Sequence, residues 1–190
     1  MVDISANGFI FKLTALFYFF LPGAIANMAP VLVMKYFNFL AVPIDFGKKL
    51  FGKPIFGSHK TYRGIIFACI AGIAVILMQR YLYSMQFFKS ISIINYSTYP
   101  YIILLGFLLG FGAIFGDLVK SFFKRRINVK PGRPWIPFDQ IDYPLGGILF
   151  ASIIFPIGLK KGLIIIVMFA VLHVVMNHLA FYLKIRKEKW

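Results

Sequence analysis

The long apolar stretches of this 190-residue chain limit its fold more than any motif does. Five stand out, at 9–34, 65–83, 101–115, 145–159 and 163–183. A bilayer crossing needs roughly 17–25 mostly apolar residues. The first, second and fifth meet that length directly. The third meets it if the helix continues through Gly116-Asp117-Leu-Val, and the fourth is short and contains Pro156. With 60% hydrophobic residues and a mean hydropathy of +0.81, the chain is too apolar for a water-soluble domain. These stretches predict an all-α integral membrane protein of about five transmembrane helices. No repeat or linker divides it, so residues 1–190 form a single membrane-embedded domain.

Lysine and arginine give the orientation. Six lie between the first two stretches: Lys35, Lys48, Lys49, Lys53, Lys60 and Arg63. Only Arg80 and Lys89 flank the far side of the second. Lys120, Lys124, Arg125, Arg126, Lys130 and Arg133 follow the third, then the pair Lys160 and Lys161, then four in the tail. This alternation predicts an N-terminus outside, with the two long basic loops and the C-terminus in the cytoplasm. A net charge of +15 could serve nucleic acid, but a chain mostly inside lipid has little surface for it. Basic flanks such as Lys160 and Lys161 serve topology and anionic headgroups, at about 1 kcal/mol each. Cys69 is the lone cysteine, so no disulfide framework exists. The first stretch is too long for a signal-peptide core and lacks a basic leader, so it reads as a retained helix. Pro22-Gly23 is expected to kink it, and Asn27 to need a polar partner inside the bundle. Residues 84–100 read as a bland external loop and 158–162 as a tight turn.

Against this background the acids are scarce. The chain has six, and Asp117, Asp139 and Asp142 fall within 26 residues. Gly106, Gly110, Ala113 and Asp117 share one helical face, and small residues let helices approach closely. That face delivers Asp117 to the mouth of the bundle, with Lys120 and Lys124 beyond it. A carboxylate at membrane depth is costly and usually functional; the alternative is a helix-end ion pair with Lys120 or Lys124. Asp139 and Asp142 are three apart, so their carboxylates converge on a helical turn. Converging carboxylates invite a divalent cation, and all-oxygen ligation suits Mg²⁺. Acidic residues at a helix start, favoured by the dipole, are the simpler reading of that pair alone.

The basic loops carry turn residues and hydroxyls. In Gly57-Ser58-His59-Lys60-Thr61-Tyr62-Arg63-Gly64, Lys60 and Arg63 supply charge, and Ser58 and Thr61 supply hydroxyls. Tight turns also expose backbone N–H groups suited to phosphate oxygens, although the Walker glycine spacing is absent. The alternative is a basic flank with a helix N-cap. His59 could donate to phosphate or stand in solvent. His173 and Asn177 share a helical face and are expected to bond across the bundle, whereas His173 and His178 do not share one. No nucleophile–base triad can be assembled. Carboxylates among many cations point to a ligand carrying both signs, such as a metal-bound polyphosphate.

Several segments together resemble the CDP-archaeol synthase family, relatives of the CDP-diacylglycerol synthases. They are Pro43-Ile-Asp45-Phe-Gly47-Lys48, Gly57 to Gly64, Gly116-Asp117-Leu-Val-Lys120-Ser121-Phe-Phe-Lys124-Arg125-Arg126, Lys130-Pro131-Gly132-x-Pro134-Trp135 and Asp139-Gln140-x-Asp142. The resemblance runs from about residue 8 to Trp190, in family order. It implies a Mg²⁺-dependent transfer of a cytidylyl group from CTP to an unsaturated archaetidic acid, giving CDP-archaeol and pyrophosphate. It further implies metal-linked carboxylates at Asp117, Asp139 and Asp142 and a catalytic Lys120. Phosphate contacts are implied at Ser58, Lys60, Thr61, Arg63, Lys120 and Lys124, and a loop near the nucleotide at Asp45, Phe46 and Gly47. Tyr62 stands where a tryptophan is common. Partners are then CTP, a lipid phosphate and the bilayer, at a site facing the cytoplasm.

The chemistry agrees: a lipid phosphate is already anionic at neutral pH and needs no general base. Two other readings compete. A diacyl phosphatidic acid could replace the ether lipid, since the motifs bind headgroup and nucleotide rather than tails. A small transporter or channel would instead line a path with polar residues, but these carboxylates gather at one membrane face.

Overall fold

The structure, a computed structural model, describes residues 8–130 and 133–184. The expectations for Pro131, Gly132 and the lysines and arginine beyond 184 lie outside the described residues. In order, the elements are α1 (Phe9–Leu32), a 3-10 turn (Asn38–Leu40), β1 (Lys49–Leu50), β2 (Lys53–Pro54), α2 (Tyr62–Leu82), α3 (Gln86–Ser90), α4 (Ile102–Arg126), α5 (Phe138–Ala151) and α6 (Leu159–Tyr182). The two short strands pair antiparallel, Lys49 opposite Pro54.

Helices α1, α2, α4 and α6 are long and apolar enough to cross a membrane. Their exposed rows, such as Leu163, Val167, Val171 and Val175 on α6, would be untenable in water but suit lipid. At the fourth stretch the helix itself is shorter than a span, and the turn after it completes the passage to the opposite end of the bundle. Helix α5 has 14 residues, about 21 Å at 1.5 Å each, short of a roughly 30 Å hydrocarbon core. It starts at Phe138 rather than Leu145, so Asp139 and Asp142 lie inside its first turns. Beyond it an apolar turn carries Phe155 and Ile157, both buried, to the opposite end. There the Tyr99 hydroxyl donates to the Ile154 carbonyl at 2.7 Å.

Glycines set how closely α4 meets its neighbours. Any Cβ on Gly72 would collide with the Gly106 carbonyl, and one on Gly110 would lie 2.6 Å from that of Ala68. Six residues further along, Gly112 and Gly116 meet α5 backbone at Gly146 and Asp142. Six residues turn the helix by about 600°, so this second glycine face lies about 120° from the first. Only the first of these faces is marked by the spacing of Gly106, Gly110, Ala113 and Asp117.

Proline leaves its mark on α1, which stays helical from Phe9 to Leu32 through Pro22 and Pro30. Pro22 has no N–H for the Tyr18 carbonyl four residues earlier. Gln79 of α2, fully buried, supplies it instead: its Nε2 donates to the Tyr18 oxygen at 2.5 Å.

The expectation of a bland loop at 84–100 is corrected. Residues 84–100 fold inward, burying Ile91, Ile93, Ile94 and Tyr96 against Tyr18 and Tyr83. Its low charge reflects a plug, not a solvated strap. The turn before α6 ends at Gly158, and Lys160 and Lys161 lie in the first helical turn of α6.

Candidate active site

The C-terminal ends of α1 and α4 and the N-terminal ends of α2 and α5 meet at one end of the bundle, under the 33–61 segment. That segment is organised by Asp45. Its Oδ1 accepts from the Gly47 N–H at 2.9 Å, and Oδ2 accepts from Phe56 at 2.9 Å and Gly57 at 3.1 Å. Burial raises the Asp45 carboxyl, but these backbone donors outweigh it, leaving the pKa below the ordinary carboxylate value. The Ile44 N–H donates to the Lys60 carbonyl at 2.8 Å and that of Tyr62 to Val42 at 3.0 Å, aligning 42–44 antiparallel to 60–62. Thr61 caps α2, its hydroxyl accepting from the Gly64 N–H. Arg126 at the end of α4 donates to the carbonyls of Leu50, Lys53 and Pro54, while the Lys53 ammonium donates to the Arg126 carbonyl at 2.7 Å. The hairpin is thereby clasped to α4.

Within this frame three aspartates and three lysines alternate. Lys60 pairs with Asp117. The Lys120 ammonium lies 3.0 Å from Asp117 Oδ1, 3.1 Å from Asp139 Oδ1 and 2.6 Å from Asp142 Oδ2. Lys124 lies 3.1 Å from Asp139 and donates to the Arg133 carbonyl at 2.6 Å. The Asp139 carboxylate also accepts from the Trp135 N–H, closing the turn that starts α5. Three carboxylates from two helices therefore converge on one ammonium. An isolated charge here would be costly, and alternation offsets much of that cost.

Two polar cavities open beside this chain. One of about 430 Å³ is lined by Ser58, His59, Lys60, Thr61 and Asp117, with Asn27 of α1 on its wall. A smaller one of about 180 Å³ joins Ser58 and Lys60 to Lys120, Ser121 and Lys124. Ser58, Lys60, Thr61, Asp117, Lys120 and Lys124 are thus brought together as expected, and Asp139 and Asp142 complete the ion-pair chain. Three expected contacts are placed differently. Asp45 spends both oxygens on backbone and lines neither polar cavity. Gly47 is exposed in a left-handed turn at φ 73. Arg63 lines the larger cavity, but its guanidinium is held by the Tyr36 carbonyl at 2.8 Å and Asn38 Oδ1 at 3.3 Å. Asn27 had been assigned to bundle packing; its signal was an amide in an otherwise apolar helix.

Among the described residues no three metal-type side chains are close enough to share an ion. The carboxylates are instead spaced around the Lys120 ammonium. All-oxygen donors suit a hard divalent cation, and in this arrangement the Lys120 ammonium holds the position between them.

The profile of the family described as CarS-like, CDP-archaeol synthase, matches residues 9–190. The chain belongs to this family. A CDP-archaeol synthase of Methanocaldococcus jannaschii is 34% identical over 94% of this chain and 97% of its own length. That of Pyrococcus furiosus is 32% identical over 92% and 96%. A solved structure, described as an intramembrane enzyme for archaeal membrane lipids biosynthesis, superposes with a TM-score of 0.67. It covers 84% of this chain and 90% of its own at 24% identity, which establishes a shared fold. Family membership thus rests on nearly the whole chain, and it agrees with the resemblance carried by the loop motifs.

Proposed function

We propose that this chain transfers the cytidylyl group of CTP to an unsaturated archaetidic acid, forming CDP-archaeol and releasing pyrophosphate. The observation that carries the reading is the convergence of Asp117, Asp139 and Asp142 on Lys120 beside a polar cavity at one end of a membrane bundle. Such a site can exchange internal ion pairs for a ligand's charges. Lys60 and Lys124 are placed to turn from carboxylate to phosphate oxygen, with Ser58 and Thr61 as hydroxyl partners. The freed carboxylates Asp117, Asp139 and Asp142 would then hold Mg²⁺, which when bound neutralises polyphosphate charge.

The reaction needs no base from the protein. An anionic oxygen of the lipid phosphate attacks the α-phosphorus of CTP, a new P–O bond forms, and the bond to the bridging oxygen of pyrophosphate breaks. The lysines' task is to orient both phosphates in line and to stabilise charge on the departing pyrophosphate. The orientation with this end in the cytoplasm, where CTP is available, follows from the lysine and arginine distribution.

The test is pyrophosphate release by purified protein supplied with CTP, Mg²⁺ and the ether lipid phosphate, against diacyl phosphatidic acid, and against dCTP and ATP. Turnover highest with CTP and the ether lipid is the expected result. Silence with both lipids would remove the enzyme reading.

A further inference from the structure

The segment between α1 and α2 exposes aromatic rings that the fold does not use. Phe-Gly-Lys occurs twice in it, at 46–48 and 51–53. Each copy makes a tight turn. In the first the Lys48 N–H donates to the Asp45 carbonyl at 2.7 Å. The second joins β1 to β2, with Leu50 opposite Lys53. Phe46 and Gly47 lie at φ 49 and 73, Phe51 and Gly52 at φ 50 and 75, all left-handed. A two-residue turn with both residues at positive φ favours Asn-Gly, and a bulky side chain there is strained. The phenylalanines gain little burial in return: Phe46 is 64% exposed and Phe51 88%. Phe39, in the same segment, is 76% exposed.

Depth limits what can cover these rings. Helix α4 has 25 residues, about 37 Å at 1.5 Å each, against a hydrocarbon core of roughly 30 Å. Arg126 at its end therefore lies in the headgroup layer, and there it holds the Leu50 carbonyl at 2.6 Å. Phe37 packs on Phe67 of α2 with centroids 4.7 Å apart, and Phe46 on Tyr62 at 5.8 Å. The segment is thus kept beside the ends of two spanning helices. Charge narrows the choice further. Lys35, Lys48 and Lys49 are exposed, and their ammonium groups have no ion pair or hydrogen bond among the described residues. Every described carboxylate is engaged elsewhere, Asp45 by backbone N–H groups and the other three by Lys60, Lys120 and Lys124.

We infer that residues 35–51 form an interfacial anchor, laying Phe39, Phe46 and Phe51 into the leaflet at the charged end and holding anionic headgroups on Lys35, Lys48 and Lys49. Aromatic rings are enriched at this depth of a bilayer, and lysines at its surface attract anionic lipid. A second copy of the chain would bring the same unpaired lysines to the contact and be repelled. Ala41 and Ile44, from the same segment, line the larger polar cavity, so the anchor also fixes one wall of the site. The anchor stands apart from the cytidylyl transfer, which none of the measurements below reads.

Spin-labelled lipids test it on the whole chain in vesicles. Phe51→Cys in a Cys69→Ala background accepts a fluorophore, and Phe39→Cys supplies a second position in case the first disturbs the hairpin. Both fluorophores should be quenched by phosphatidylcholine carrying a nitroxide on its acyl chain, and should escape iodide in the water. Quenching by spin-labelled phosphatidylglycerol should be stronger. Lys48→Gln with Lys49→Gln should lower that anionic preference about fivefold per charge removed. Iodide quenching in place of lipid quenching would overturn the anchor. So would an anionic preference unchanged in the lysine variant. Self-quenching that grows with the protein-to-lipid ratio would overturn it too, because a second copy would then cover the rings.

Discussion

The two ends of the bundle are held by opposite means. At one, Lys60, Lys120 and Lys124 alternate with Asp117, Asp139 and Asp142 in a chain of ion pairs. At the other, the Tyr96 ring stands 6.0 Å between centroids from Tyr18 and from Tyr83, beside buried Ile91, Ile93 and Ile94. Packing of that kind has no polar alternative and stays fixed. The glycine seams join these regimes, carrying the rigidity of the plugged end down α4 to the charged one. The charged end is thereby mounted on helices that meet backbone to backbone at Gly72 and Gly106 and at Gly112 and Gly146.

The sharpest test of this contrast is Asp117→Asn. The shape is kept while the anion shared by Lys60 and Lys120 is lost, so turnover should fall on the order of 10²–10³-fold, the loss seen when one charge-stabilising group is removed. Expression and helical content should persist. Unchanged pyrophosphate release would reduce Asp117 to a structural ion pair, and the charged end would then differ from the plugged end in polarity alone.

Gly116→Ala addresses the seam. A methyl group there collides with the Asp142 carbonyl and forces α4 and α5 apart, with the Lys120–Asp142 pair. Overpacking of this kind costs about 1–3 kcal/mol, measurable as a lower melting temperature in detergent. Turnover should fall with it, by about tenfold or more if the pair is broken. A variant with normal turnover would show that the charged end tolerates movement of its frame.

Acid sensitivity belongs to the loop at the charged end. Asp45 has a folded pKa below its unfolded value of 3.8. Its stabilisation is present above that unfolded value and is lost as pH falls through the lower folded one. Asp45→Asn removes this term, so the melting temperature of the variant should approach that of the parent as pH falls below 3.8. The difference at neutral pH should be about 1–3 kcal/mol, since one buried charged acceptor with backbone donors is lost. Parallel pH profiles would mean that Asp45 does not staple the loop.

How legible each end was follows from the same chemistry. Carboxylates are rare in this chain, so Asp117, Asp139 and Asp142 could be read as a group before any fold was known. Their partners were less visible, because spacing along the chain does not say that Lys120 reaches all three or that Arg63 turns to Tyr36. Asp45 was placed near the nucleotide by the family resemblance alone, and a motif match does not show that both its oxygens accept backbone N–H groups. The plug at 84–100 was misread for the opposite reason: serine, asparagine and tyrosine are loop-like in composition, and only tertiary packing shows the isoleucines between them turned inward. Helix α5 was placed too late along the chain because a hydropathy window begins where polar residues stop, and its first turns are polar.

The plugged end offers the smallest and most discriminating effect. Tyr96 is fully buried, and its hydroxyl finds no partner among the described residues. Removing an unpaired buried hydroxyl relieves a desolvation cost, so Tyr96→Phe should leave the melting temperature unchanged or raise stability by up to about 1 kcal/mol. Tyr99→Phe, three residues on, loses a made bond to Ile154 and should cost about 1 kcal/mol. Neither should alter the KM for CTP or lipid, because both lie a helix length from Lys120. A Tyr96→Phe variant that lost turnover while keeping its stability would break the contrast, since the plugged end would then take part in the reaction it is here held to support.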